Sequence, residues 1–334
     1  MKIKISNKYV GDNYPVFVIA EGGINHNGNV KLAKQLISEA KHVGADAVKF
    51  QTFKASDLAS VKSKYYNIFK NLELSSAEFA ELSDYSRSED IIFLSTPFSN
   101  DAVDLLYKLS VPAFKIASGD ITNIPLIKHA ASKGRPVIIS TGMSNIKEVE
   151  LAVKAVLSVR NKKIILLHSV SSYPAPPSET NLKVILEIKE RFHSPVGFSD
   201  NGDDLLVPLV AVAVGAQVIE KHFTLNRKLS GPDHKLSAEP TQFRELVKNI
   251  RKLEAMLGDG QKRCQLSESD NLLSTRRSVT ARITIDKGTK IEPHMLAIKR
   301  PGAGISPVDF MKVVGKVTSR RILLDEVIKW KDLK

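Results

Sequence analysis

The stretch Gly215-Ala-Gln-Val-Ile-Glu-Lys-His-Phe-Thr224 runs an apolar, β-branched pair into three ionisable side chains. Side chains alternate along a strand, so Val218, Glu220 and His222 share one face while Ile219, Lys221 and Phe223 share the other. A carboxylate and an imidazole thus leave one strand tip together. Nine residues after His222, the Gly/Pro-marked loop Gly231-Pro-Asp-His-Lys235 begins, and it can bring Asp233 and His234 back over that tip. A lone histidine of this kind is more often a core side chain with its hydrogen bonds met than a ligand. Here similar polar tips recur seven times upstream, which favours a site.

From residue 16 to about 257 one pattern repeats: a short apolar run, a polar or Gly-rich tip, then an amphipathic helix. Strands are expected at 16 to 20, 45 to 51, 91 to 96, 112 to 117, 136 to 141, 163 to 168, 195 to 200 and 217 to 222. Helices are expected at 30 to 43, with Asn29 as N-cap and Gly44 as C-cap, and near 75 to 87, 101 to 109, 123 to 133, 145 to 158, 181 to 191, 203 to 214 and 240 to 257. Eight strands alternating with eight helices are the signature of a (β/α)8 TIM barrel, an α/β fold whose chemistry sits at the C-terminal strand ends. Alternation then points Glu21, Lys49 and Gln51, Thr96, Lys115 with Ser118, Ser140 or Thr141, His168 with Ser171 and Tyr173, Ser199 and Asn201, and Glu220 and His222 inward. Polar residues at all eight tips outline one pocket.

The barrel is expected to occupy residues 1 to 257. Residues 258 to 275, rich in Gly, Ser and charge without apolar period, read as a linker. A compact domain of short strands and turns is expected over 276 to 334, with Arg300 presented on a Pro-Gly turn. It is too small for an enzyme by itself, so its stability is expected to draw on docking to the barrel or to another subunit.

The chain has 334 residues, a net charge of +13 and one cysteine, Cys264. The single cysteine excludes an intrachain disulfide. No apolar run approaches the roughly 18 to 20 residues of a membrane helix, and Met1-Lys-Ile-Lys-Ile-Ser6 lacks a signal-peptide core. A cytoplasmic protein without a membrane partner is expected. Residues 276 to 334 carry 14 Lys/Arg against 6 Asp/Glu, scattered among apolar residues and not clustered as in a basic arm. Attraction of small anions therefore accounts for the charge better than nucleic acid, and a solvated basic face accounts for it equally.

Chemically, Lys49 and Lys115 supply charge while Thr96, Ser118, Ser140 and Ser199 supply directed hydrogen bonds. That combination suits a phosphate, a carboxylate, or a substrate carrying both, such as phosphoenolpyruvate. Glu21 stands beside Gly22 and Gly23, where a substrate can approach the backbone closely. His222 with a second ligand from the seventh strand is a conceivable metal site, although no tight metal motif is present.

The segments Ile19-Ala-Glu-Gly-Gly-Ile-Asn-His-Asn-Gly28, Ala47-Val-Lys-Phe-Gln-Thr-Phe53, Ser95-Thr-Pro-Phe98, Phe114-Lys-Ile-Ala-Ser-Gly119, Ser140-Thr-Gly-Met143, Gly197-Phe-Ser-Asp200, Ile219-Glu-Lys-His-Phe-Thr224 and Arg300-Pro-Gly302 closely resemble the bacterial sialic acid synthase family. That family includes N-acetylneuraminate, legionaminate and pseudaminate synthases and the spore-coat polysaccharide relatives. The resemblance covers essentially the whole chain, in order. It implies a barrel followed by an antifreeze-like SAF domain of the β-clip type, in a domain-swapped homodimer. The implied reaction condenses phosphoenolpyruvate with an open-chain N-acylated amino sugar, such as N-acetylmannosamine or a diacetamido-dideoxy hexose. Its products are phosphate and a nine-carbon 3-deoxy-2-keto acid, formed by C–O cleavage.

By the same resemblance, Lys49, Thr96, Lys115, Ser118, Ser140 and Ser199 would hold phosphoenolpyruvate. Glu21, Gln51, Tyr173 and Asp233 would hold the sugar, and Arg300 would reach its N-acyl group from the other subunit. Glu21 or Glu220 would serve as base, with Lys115 stabilising the departing charge. His222 matches one ligand of a divalent metal, Mn2+ or Mg2+, while Asn201 stands where the family carries a second metal-binding histidine. Ser171 stands where an asparagine is expected near phosphoenolpyruvate, which points to a related but different acceptor sugar. Two alternatives remain open on the residues: an aldolase using a Schiff base on Lys49 or Lys115, and a catalytically silent carbohydrate-binding or assembly protein.

Overall fold

The computed structural model describes residues 1–334, which divide into two compact units, Met1–Gly258 and Asp259–Lys334. The larger unit opens with an antiparallel hairpin, β1 (Lys2–Ile5) and β2 (Lys8–Gly11). Eight parallel strands follow: β3 (Phe17–Gly23), β4 (Ala47–Thr52), β5 (Ile92–Pro97), β6 (Phe114–Ile116), β7 (Val137–Ser140), β8 (Ile164–Ser169), β9 (Val196–Asp200) and β10 (Val218–His222). They close in chain order, β10 pairing with β3 so that His222 faces Glu21 and Glu220 faces Ile19. This is the TIM barrel expected from the repeat.

The helices are α1 (Val30–His42), α2 (Ala55–Leu58), α3 (Tyr66–Leu72), α4 (Ser76–Ser88), α5 (Asn100–Lys108), α6 (Ile124–Ser132), α7 (Ile146–Ser158), α8 (Val184–Phe192), α9 (Leu206–Ala213) and α10 (Pro240–Leu257). Eight of them alternate with the strands, while α2 and α3 form an extra excursion between β4 and α4. Local chemistry sets their ends. The Asn29 side chain accepts from the amides of Lys31 and Leu32, satisfying two donors that the first turn of α1 leaves free. Val43 caps the other end, and Gly44 follows it in the left-handed region, φ +87°, where glycine carries no steric cost.

Two apolar layers hold the barrel, and their membership fixes which side chains point inward. Ile19, Ala47, Leu94, Ile138, Ile165, Leu167 and Val218 form the inner layer, while Val18, Phe50, Ile139, Leu166 and Ile219 pack outward against the helices. Two-residue alternation runs along the strands, interrupted at the tip of β3 by a register shift between Glu21 and Gly23. The inner layer also contains Ile3, Ile5 and Val10, so the N-terminal hairpin closes the barrel at the end opposite the strand tips. On β8 the alternation corrects one expectation. With Ile165 and Leu167 inward, the inward tip is Ser169. His168 points outward, its Nε2 2.7 Å from the Thr180 carbonyl and its ring against Phe198.

The smaller unit contains α11 (Ser269–Thr275), a strand pair β11 (Ser278–Ala281) and β12 (Leu296–Lys299), and α12 (Phe310–Val313). Val279, Ala281, Ile285, Ile291, Leu296, Ile305, Val313, Ile322 and Ile328 build its own core. The stretch read as a linker thus carries a 3-10 turn at Leu266–Glu268 followed by α11.

Candidate active site

Fourteen side chains singled out from the sequence line one cavity of about 580 Å³ at the C-terminal ends of the barrel strands. They are Glu21, Lys49, Gln51, Thr96, Lys115, Ser118, Ser140, Ser171, Tyr173, Ser199, Asn201, Glu220, His222 and Asp233. Between the two residues left open on the fifth strand, Ser140 lines the cavity; the Thr141 hydroxyl instead donates to the Leu167 carbonyl at 3.2 Å. Arg300, before cis-Pro301, is carried by the smaller unit.

At the cavity floor, four buried ionisable groups form a chain. Lys49 Nζ lies 2.6 Å from Glu21 Oε2, 3.8 Å from Glu220 Oε2 and 3.1 Å from Thr96 Oγ1. Lys115 Nζ lies 3.4 Å from Glu220 Oε1 and donates to Ser140 Oγ at 2.6 Å. The Ser199 hydroxyl donates to Glu220 Oε1 at 2.9 Å. Strand register explains the grouping: Glu21 pairs with Lys49, Gln51 with Thr96, and Glu220 with Ser199 on neighbouring strands.

Burial treats these groups unequally. It pushes the Glu21 carboxyl up, and nearby Glu220 adds to the rise against the pull of Lys49. Glu220 is also buried, but Lys115 and Lys49 outweigh desolvation and hold it below the usual carboxylate range. The lysines split as well. Desolvation opposes the charge on Lys49, yet Glu21 and Glu220 raise it, whereas burial together with Lys49 leaves Lys115 lowered despite Glu220. Two carboxylates driven in opposite directions are the arrangement from which acid and base roles arise.

Hydroxyls ring this floor. Ser118 Oγ accepts from the Gly142 amide at 3.0 Å, and a Cβ at Gly142 would come within 2.3 Å of Ser171 Oγ and 2.8 Å of Ser118 Oγ, so a larger residue there would push these hydroxyls aside. Ser169, which sequence reasoning missed through the one-residue register on β8, donates to the Ser199 carbonyl at 2.9 Å. One wall is apolar: Tyr65, Ile68 and Phe69 from α3 and the residue before it join Ile24, Phe98 and Met143. The aromatic run Tyr65-Tyr66-Asn67-Ile68-Phe69 was its sequence signal, but it lies outside the repeat.

Near the mouth, Tyr173 packs edge-on to His222 with ring centroids 5.9 Å apart. Partial burial, then Asp233, Glu21 and Glu220, push the phenol up to about 12, so it is a hydrogen-bond donor at neutral pH. His222 Nδ1 is buried without a hydrogen-bond partner, 4.0 Å from Asp233 Oδ2. Asn201 Nδ2 donates to the Val170 carbonyl at 2.8 Å and to Ser169 Oγ at 3.3 Å, which leaves its Oδ1 free to accept. No cluster of three or more His, Cys, Asp or Glu is spaced to hold a metal. One orphaned imidazole nitrogen and one amide oxygen fit a hard divalent ion that takes its remaining oxygens from water and substrate.

Comparisons with known proteins agree with this geometry. Residues 36–262 match the NeuB family model, and residues 276–334 match a SAF domain. The chain belongs to the NeuB family. Among its relatives, an uncharacterized protein of Methanocaldococcus jannaschii is 48% identical, over 99% of this chain and 98% of its own length. The N,N'-diacetyllegionaminic acid synthase of Legionella pneumophila is 40% identical, over 97% of this chain and 96% of its own. A solved N-acetylneuraminic acid synthetase from Leptospira borgpetersenii, in complex with citrate, superposes with a TM-score of 0.78 at 38% identity, covering 81% of this chain and 95% of that one. As a NeuB-family member, the chain has a barrel whose polar cavity carries two buried lysines, Lys49 and Lys115, and a SAF domain. No helix is long and apolar enough to cross a membrane.

Proposed function

We propose that this protein is a sialic acid-type synthase, joining phosphoenolpyruvate to the open-chain form of an N-acylated amino hexose to give a nine-carbon 3-deoxy-2-keto acid and phosphate. The observation that carries the reading is the buried Glu21–Lys49–Glu220–Lys115 chain ringed by Thr96, Ser140 and Ser199. Two cations beside directed hydroxyls suit a substrate bearing both phosphate and carboxylate. Relatives named for legionaminic, pseudaminic and N-acetylneuraminic acid products add support.

In this reading, Lys49, Lys115, Thr96, Ser118, Ser140 and Ser199 hold phosphoenolpyruvate on the floor. Gln51, Tyr173 and Asp233 orient the sugar above it. C3 of phosphoenolpyruvate attacks the sugar aldehyde, a C–C bond forms, and the aldehyde oxygen takes a proton to become a hydroxyl. Ionised Glu220 stabilises the cation this leaves at C2. Water adds to C2 and gives its proton to Glu21, whose raised affinity for protons suits a base. The C2–O bond to phosphate then breaks, the new hydroxyl loses its proton, and the ketone forms. A divalent ion held by His222 Nδ1 and Asn201 Oδ1 would supply Lewis acidity towards the aldehyde oxygen. A homodimer in which Arg300 of the partner subunit reaches the N-acyl group completes the proposal.

One observation favours a second reading. Burial lowers Lys115, as a Schiff-base aldolase would require. Borohydride trapping with pyruvate separates the two: a covalent adduct on Lys115 or Lys49 overturns the synthase. Phosphate release that depends on both phosphoenolpyruvate and an N-acylated amino hexose, with no adduct, supports it.

A further inference from the structure

The loop from Leu225 to Leu236 crosses the cavity mouth with a single buried residue, His234. Its flanks Gly231, Pro232 and Lys235 are exposed, and Asp233 turns inward to the cavity. The His234 ring reaches two separate strand tips. Nδ1 lies 2.7 Å from Thr224 Oγ1, just past β10, and Nε2 lies 3.3 Å from Asn27 Oδ1, in the turn after β3. Asn27 holds a left-handed backbone, φ +51°, and its Nδ2 donates to the Ser230 carbonyl at 2.8 Å. Its Oδ1 is therefore an acceptor, which places the ring proton on Nε2 and makes Nδ1 the acceptor of the Thr224 hydroxyl. Both nitrogens of one neutral tautomer are thereby satisfied. Gly231 lets the ring sit there, because a Cβ would come 2.7 Å from His234 Cδ2 and 2.8 Å from Asn27 Oδ1.

We propose that His234 is the positioning residue for Asp233, acting as a clip between the ends of β3 and β10 that fixes this carboxylate at the cavity mouth. A second tie runs through the next turn: Ser237 Oγ donates to the Asp233 carbonyl at 2.6 Å and accepts from Asn25 Nδ2 at 2.9 Å. That tie holds the Asp233 backbone but does not reach back to residue 231. Without the ring, the segment before Asp233 has no buried side chain to hold it, and the carboxylate loses its fixed place 4.0 Å from His222 Nδ1. The consequence for turnover rests on the synthase reading; the consequence for loop order does not.

The experiment therefore has two readouts on the full chain. Hydrogen exchange is measured on wild type, His234→Ala and His234→Gln without ligand. Amides of residues 226 to 236 are expected to exchange about tenfold faster or more in His234→Ala, with the barrel strands unchanged, and His234→Gln to recover part of the protection. Unchanged loop exchange overturns the proposal. Kinetics then form a cycle with Asp233→Ala. His234→Ala is expected to raise KM for the sugar about tenfold while KM for phosphoenolpyruvate stays within about twofold, and to add almost nothing once Asp233 is gone. A full additional loss in the Asp233→Ala background contradicts positioning through Asp233. If His234→Ala does not fold, His234→Phe keeps the ring volume without either ring nitrogen, leaves the Asn27 bond to Ser230 in place, and carries the exchange measurement, where equal protection again overturns the proposal. A wild-type protein that turns over no sugar removes the synthase reading and leaves exchange to decide the clip.

Discussion

The opposed environments of Glu21 and Glu220 set the chemistry expected of each residue. Glu21→Gln keeps the shape but removes the base, so kcat is expected to fall about 10² to 10⁴-fold in a steady-state assay. The pH profile supplies an independent check. A base must be ionised, so turnover is lost as pH falls through the raised value of Glu21, and the acid limb lies above the ordinary carboxylate range. Lys115 must be protonated to hold phosphate, so kcat/KM for phosphoenolpyruvate is lost as pH rises through its lowered value, below the ordinary lysine range. The residual activity of Glu21→Gln should lack the acid limb, and a limb that persists assigns the base elsewhere. Much of this was legible because polar tips at regular strand spacing stand out in sequence. Which of two glutamates is pushed up was not, since that depends on burial of both and on Glu220 standing between two lysines, Lys115 at 3.4 Å and Lys49 at 3.8 Å, while Glu21 has Lys49 alone against its burial. His168 and Ser169 show the other limit: one residue of register exchanges the inward and outward faces.

Among the elements, β9 and β10 share a contact on their outer faces that the alternation pattern foretold only in part. Lys221 Nζ lies 2.6 Å from Asp200 Oδ2 and donates to the Gly202 carbonyl at 2.7 Å, with both side chains buried. Burial pushes Asp200 up despite Lys221. Removing one partner strands the other, so Lys221→Met is expected to cost about 3 to 5 kcal/mol, read by denaturant unfolding. The double change to apolar residues should cost less; an equal cost would show that the pair itself stabilises. The N-terminal hairpin makes a similar case at the opposite end. Ile5 is fully buried in the inner barrel layer, so Ile5→Ala is expected to cost about 2 to 5 kcal/mol. A loss below 0.5 kcal/mol, by the same measurement, would mean the hairpin is not part of the core. The alternating Lys2-Ile-Lys-Ile5 hinted at this strand, but its Ser6-Asn7 turn lacks the usual glycine. Helices α2 and α3 were illegible for a different reason: they are short, fall outside the βα period and are held by Phe53, Phe69 and Phe98 rather than by their own pattern.

For the whole molecule, two units each with its own core raise the question of how many chains make one site. If Arg300 of the partner subunit serves each cavity, two inactive variants should complement. Mixing Lys49→Met with Arg300→Ala puts both defects in one site of a heterodimer and neither in the other, so random exchange should restore about a quarter of wild-type activity. Absence of recovery, with heterodimers verified by mass, would place Arg300 in its own chain's site, and an Arg300→Ala variant active by itself would place it in none. The most direct measurement of the central reading follows the bridging oxygen of phosphoenolpyruvate. Substrate labelled with 18O between C2 and phosphorus is incubated with N-acetylmannosamine or a diacetamido-dideoxy hexose, and the products are separated. C–O cleavage sends the label into inorganic phosphate, formed one for one with a nine-carbon keto acid and only when sugar is present. Label retained in the keto acid, or phosphate released without sugar, would contradict the synthase built on Glu21, Lys49, Lys115 and Glu220.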